Sequence, residues 1–243
     1  MSVLLTSLIF ALLISFLSII GIVFVFFKSK TLKKLLFFII SFSAGTLLGG
    51  AFFHLLPEAL EEQRSLDAIF VFTIIGFVIF FALEKILRWH HCHNQECQDH
   101  KHIGKLSLVG DFFHNIIDGI IIISAFSVDF KFGLSIILAI AIHEIIQKVG
   151  NFGVLVYSGY TKTRALVYNF ISATSILIGV VIGYFLINNI NDLNSILLPL
   201  AAGGFIYIAS SDLIPQIHQE SNFKKSLISF IIFVLALFIL YSI

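Results

Sequence analysis

Apolar residues come along this chain in runs of about twenty, separated by short polar punctuations, and a run of that length is what crosses a hydrocarbon core roughly 30 Å thick. Eight runs qualify, at 3–27, 34–57, 67–88, 106–127, 132–157, 165–187, 195–216 and 225–242. Backbone groups in lipid have no water to bond, so each run is expected to be a helix. The pattern therefore predicts an all-α polytopic membrane protein with eight transmembrane helices, residues 1–243 forming a single transmembrane domain. Only 89–105 reads as a loop of any length. The first run has no basic residue ahead of it, is longer than a signal core and ends in KSK, so it is read as a retained helix.

Composition agrees with this pattern. Hydrophobic residues make up 58% of the chain and charged ones 12%, with a mean hydropathy of +1.04, well outside the range of soluble domains. A net charge of +1 leaves no footprint for nucleic-acid binding. The position of the charges says more than their sum. Lys28, Lys30, Lys33, Lys34, Lys85, Arg88, Lys101, Lys105, Lys162, Arg164, Lys224 and Lys225 fall on one side of the eight runs, and only Arg64 and Lys131 on the other. The positive-inside rule makes the first side cytosolic. Both termini are then extracytosolic, the fourth helix runs outward and the fifth returns.

Two short stretches inside these runs share a grammar: HNIID at 114–118 and HEIIQ at 143–147. A spacing of four puts His114 and Asp118 on one helix face, and likewise His143 and Gln147, while Asp111 extends the first stripe by one turn. Asn115 and Glu144 each lie one position round from their histidine. Both motifs fall near the bilayer middle, where antiparallel packing of the fourth and fifth helices would bring them together. An ionisable side chain at that depth costs at least about 2.5 kcal/mol and is a functional hypothesis by default. Imidazoles, carboxylates and amides in this mixture suit a borderline divalent cation, zinc first, with iron or manganese also open. The alternative is a polar network that only ties helices together.

Lys148, four residues after Glu144, is a second expense. It either pairs with Glu144 on one helix face and partly neutralises it, limiting the site to one ion, or extends toward the cytosolic interface. The loop WHHCHNQECQDHKH, 89–102, carries His90, His91, Cys92, His93, Cys97, His100 and His102. That composition suits metal capture by a flexible segment; the alternative is a solvated linker that happens to be histidine-rich. The cysteine spacing specifies no fold, and a structural disulfide is not expected on the cytosolic side. His54 and Glu58 share a face at the outer end of the second helix as an entrance. Asp212, Gln216 and His218 lie toward the cytosolic end of the seventh as an exit; caps or hydrated helix ends account for such residues as well. The glycines at 45, 49, 50, 203 and 204 are expected to serve close helix packing.

GDFFHNIIDG (110–119) followed by HEIIQKVGNFGVL (143–155) resembles the fourth- and fifth-helix signature of the ZIP family of divalent metal transporters, above all its histidine-rich branch. SFSAGTLLGGAFFHLLPEA (41–59) and AAGGFIYIASSDLIP (201–215) resemble that branch's second and seventh helices. The resemblance implies a three-plus-two-plus-three helix arrangement with an inverted repeat, movement of zinc or a similar ion into the cytosol, and a homodimer in the cell membrane. It implies ligand roles for His114, Asn115, Asp118, His143 and Glu144. Where the branch has HExPH this chain has HEIIQ, and where it has GDF this chain has GNF. The bending proline is absent and Gln147 replaces an imidazole, which weakens zinc binding or tunes the site toward a harder ion.

The expected activity is alternating access around that mid-membrane site, downhill or coupled to another gradient, since no glycine-rich phosphate cradle for ATP exists in the chain. The ligands bind metal only when deprotonated, so acidification is expected to weaken binding. The divalent metal (Zn2+, Fe2+, Mn2+ or Cd2+) is substrate, the bilayer is the surrounding partner, and neither enzyme activity nor a cofactor is expected. The competing readings are a metal-binding sensor or structural bundle without transport and, less favoured, an intramembrane metalloprotease, which would need the second imidazole of HExxH.

Overall fold

The computed structural model describes residues 2–19, 29–62, 65–89, 100–189 and 193–242. Among them there are eight helices and no strands. Helix α1 is Val3–Leu17. Helix α2 joins Ser29–Gly49, a π-helical stretch Gly50–Leu55 and Leu56–Glu62. Helices α3, α4 and α5 are Leu66–Trp89, His100–Val128 and Phe130–Tyr157. Helix α6 is Lys162–Ala173 continued, after a break at Thr174, by Ser175–Asn189. Helix α7 joins Asn194–Ile208, a π-helical stretch Ala209–Leu213 and Ile214–His218, and α8 is Phe223–Ser242.

Seven of these helices contain windows of 20 to 28 residues long and apolar enough to cross a membrane. The protein is an all-α polytopic membrane protein, as the hydrophobic pattern predicts. The run expected at 3–27 is helical over Val3–Leu17, and its part from residue 20 onward lies outside the described residues. The loop expected at 89–105 is shorter: α3 continues to Trp89 and α4 already begins at His100. Membrane thickness limits an apolar run, but a helix can continue past it into water. His90, His91, Cys92, His93 and Cys97 lie outside the described residues, whereas His100 and His102 are in the first turn of α4.

The helices pack as two groups. In one, α4 lies against α6 and α5, with α1 against α6 and α4; in the other, α7 lies against α3, and α8 against α2. The groups meet chiefly where α2 packs on α5, with smaller contacts of α4 on α7 and α3. Small residues set the closest approaches within a group. A Cβ on Gly119 of α4 would strike the Ile176 carbonyl oxygen of α6, and one on Gly179 would strike the Ile116 carbonyl oxygen in return. Gly45 and Gly49 serve the same end for α2 on α8, and Gly203 and Gly204 for α7 on α3, while Gly50 has only ordinary contacts.

Helices α2 and α7 repeat one another. At a constant offset, Gly45, His54, Leu55, Pro57 and Glu58 correspond to Gly203, Asp212, Leu213, Pro215 and Gln216. Each helix widens into a π-turn just before its proline, because proline supplies no N–H for the carbonyl four residues back and its ring crowds that carbonyl. Gly45 seats α2 on α8 and Gly203 seats α7 on α3. Four crossings, α3 to α6, separate α2 from α7, so the two run in opposite directions, and α4 with α5 falls between the repeats.

Candidate metal site

Antiparallel α4 and α5 lie side by side, and this brings the two histidine motifs to one level. The Nε2 atoms of His114 and His143 are 3.3 Å apart, and His114 Nε2 is 3.4 Å from Asp118 Oδ2. Tetrahedral zinc with bonds of about 2.0–2.1 Å has ligand-to-ligand edges of roughly 3.3–3.4 Å, so both separations match such an edge. Among the described residues no three His, Cys, Asp or Glu side chains are closed into a finished coordination cage. What the protein presents is two edges of a shell, one of them spanning the two helices.

Most of these side chains are enclosed by protein. Asp118, Asn115, His143 and Glu144 are all buried. Asp118 Oδ2, His143 Nδ1 and Gln147 Oε1 have no hydrogen-bond partner, although buried polar atoms nearly always do. The orphaned carboxylate oxygen beside the imidazole pair is a lone pair that a cation would take up, together with the facing Nε2 atoms of the two histidines.

Glu144, Asn115 and Gln147 turn elsewhere. Lys148 Nζ lies 2.7 Å from each oxygen of Asp111 and 3.3 Å from Asn115 Oδ1. It lies 2.9 Å from Glu144 Oε1, close enough for an ion pair though not aligned as a hydrogen bond. Gln147 Nε2 and Asn151 Nδ2 also donate to Asp111 Oδ1, at 3.1 and 2.6 Å. Lys148 is wholly buried, so its extension toward the interface is corrected: the carboxylates of Asp111 and Glu144 hold the ammonium inside. Its carbonyl accepts from Asn169 Nδ2 of α6 at 2.9 Å, and Asn115 Nδ2 donates to the Asp111 carbonyl at 2.6 Å.

A cavity of about 610 Å3 runs from the histidine pair to the end of the bundle where the 158–161 and 219–222 connections lie. His114 and His143 form part of its wall, and Asp118, Glu144 and Asn115 stand outside the lining. Asp111, Gln147 and Asn151 line it from α4 and α5, and Asp212 and Gln216 from α7. His218 does not line it and is exposed. His54 and Glu58 are also absent from the lining; His54 Nε2 instead donates to the Leu240 carbonyl of α8 at 2.6 Å.

Asn169, Tyr207 and Glu84 escaped the sequence reading, and Asn151 entered it only as the GNF departure. Asn151 and Asn169 fix Asp111 and Lys148, and the Tyr207 hydroxyl donates to Glu84 where both line the cavity. An acid near the end of the third apolar run was the available signal for Glu84. Nothing local marks Asn169, and the partners of both asparagines lie on other helices.

Fold and site together define a polytopic membrane protein with a buried imidazole–carboxylate cluster at the inner end of this cavity. Comparison with known proteins makes this specific. The family described as ZIP Zinc transporter matches residues 1–105 and 88–243, and the chain belongs to that family. It is 28% identical over 223 residues to "Zinc transporter YKE4" of Saccharomyces cerevisiae, covering 80% of this chain and 64% of that protein. It is 30% identical over 215 residues to "Zinc transporter ZIP13" of Pongo abelii, covering 81% and 62%, and 26% identical over 245 residues to "Zinc transporter zipt-7.1" of Caenorhabditis briggsae, covering 76% and 62%. The chain thus spans less than two thirds of the length of these relatives.

Proposed function

We propose that this protein is a transporter, and not an enzyme, that carries a divalent metal ion, zinc first, into the cytosol by alternating access. The observation that carries the reading is the 3.3 Å approach of His114 and His143 across two helices, the span of one zinc edge. Asp118 supplies the adjoining carboxylate, and Glu144, Asn115 and Gln147 are in reach as further donors once they exchange their present partners for metal.

The cavity reaches from that pair to the side rich in lysine and arginine, which the positive-inside rule makes cytosolic. In this reading the protein is caught open to the cytosol, with the metal leaving past Asp111, Gln216 and Asp212 toward the His/Cys-rich segment. Closure on that side and opening on the other is a displacement of the α1, α4, α5 and α6 group against the α2, α3, α7 and α8 group. The pairs α4–α6, α2–α8 and α3–α7 are fastened by backbone contacts at glycine, whereas the groups meet through side-chain packing and through Asn194 of α7, hydrogen-bonded to Ser124 and Ser127 of α4. The zinc-transporter names of the relatives support the substrate. A homodimer in the cell membrane belongs to the reading on family resemblance alone.

The test is uptake of Zn2+ and other divalent ions by proteoliposomes. Replacing a metal-binding side chain removes a bond that neighbouring groups cannot remake, so His143→Ala and Asp118→Ala are each expected to cut uptake by ~10-fold or more. Uptake equal to wild type in both variants would rule the site out.

A further inference from the structure

Lys148 is buried in the middle of α5 with its ammonium inside a shell of oxygens. Both oxygens of Asp111 lie at 2.7 Å, Glu144 Oε1 at 2.9 Å and Asn115 Oδ1 at 3.3 Å. Carboxylates joined by an amide oxygen are the donors that hard divalent cations take. Here two helices build such a cage and a side chain fills it. We propose that the Lys148 ammonium occupies a second cation position beside the His114–His143 pair, so that the wild-type chain holds one divalent ion and the Lys148→Ala chain holds two. This inference rests on the transport site proposed above.

Charge points the same way. With Asp111, Asp118 and Glu144 ionised, the single ammonium of Lys148 leaves two negative charges in a buried cluster, which one divalent ion balances. Without the ammonium three negative charges share the space; one divalent ion then leaves a negative charge unpaired, which is strongly disfavoured in a buried site, and the position the ammonium vacates is where a second ion fits. The cage also has capacity in reserve. Glu144 Oε2 and Gln147 Oε1 are buried without hydrogen-bond partners. The Gln147 and Asn151 amides that now donate to Asp111 can turn an oxygen to a metal instead. A role for Lys148 confined to pinning α5 to α4 would make its loss loosen the bundle without adding a binding position.

The experiment counts Zn2+ per chain by equilibrium dialysis and elemental analysis on the purified full chain. The cysteines and histidines of 90–102 are replaced by serine and asparagine, so that only the membrane site is counted. Expected plateaus are one ion for Lys148 chains, two for Lys148→Ala, and one again for the double variant Lys148→Ala/Asp111→Ala, in which a carboxylate leaves with the ammonium. A Lys148→Ala plateau of one overturns the proposal, and so does a plateau of two in the double variant, which would assign the extra ion to loosened packing. A plateau of two with Lys148 in place overturns this inference alone; a plateau of zero there overturns the transport site itself. Lys148→Ser takes the place of Lys148→Ala if the latter does not purify as a monodisperse species.

Discussion

Gln147 sits one turn after His143 on α5, its Nε2 spent on Asp111 and its Oε1 left without a partner. An amide is a weaker zinc donor than an imidazole, and it is tolerated by harder ions. Gln147→His adds a third imidazole at the spacing that places it beside His143. It is expected to tighten Zn2+ binding about tenfold, some 1.4 kcal/mol, with little gain for Mn2+. Competition binding on the purified protein measures both. Equal tightening for the two ions would mean that residue 147 does not touch the metal. Lys148 shows the same principle from the other side: a side chain whose charge alone would bar it from lipid is held by two carboxylates, one of them a turn away on its own helix.

Helix pairs here are set by where a side chain is missing. Gly119 and Gly179 let α4 and α6 touch backbone to backbone, and two α6 hydroxyls then reach α4: Ser172 Oγ donates to the Leu108 carbonyl at 3.3 Å and Ser175 Oγ to the Phe112 carbonyl at 2.9 Å. In lipid, where apolar surface gains little from meeting apolar surface, such close packing and hydrogen bonding carry the association. Gly119→Ala forces the pair apart and is expected to cost about 2 kcal/mol, the usual range for overpacking. A Cβ on Gly153 meets nothing within 4 Å, so Gly153→Ala is the neutral control. Thermal unfolding of both in the same detergent compares them, and equal midpoints would contradict the packing argument.

At the scale of the molecule, the seam between the two helix groups is the place to test movement. A Cβ on Gly50 of α2 would lie 3.5 Å from the Ala139 Cβ of α5, within the range that a disulfide bridges. Gly50→Cys/Ala139→Cys, with Cys92 and Cys97 replaced by serine, is expected to lose Zn2+ uptake on oxidation and to recover it on reduction. Each single cysteine should transport in both conditions. A cross-linked chain that still transports would mean the groups need not move past one another.

The all-α architecture and the positions of the spans were legible in the sequence, because a bilayer imposes a length and an apolar character on every crossing segment. The same cost of polarity in lipid made HNIID and HEIIQ stand out as a pair, and the glycines of α2 and α7 were readable as packing positions. Tertiary structure decided the partners. Periodicity put Lys148 beside Glu144, but only the approach of α4 supplied Asp111, which with Glu144 holds the ammonium inside the bundle. Asn151 and Asn169 gained their roles in the same way, and His54 and His218 fell away from the cavity. The physical reason is that hydrophobicity and helical spacing act along one chain segment, whereas the pairing of a buried charge depends on which other segment arrives next to it.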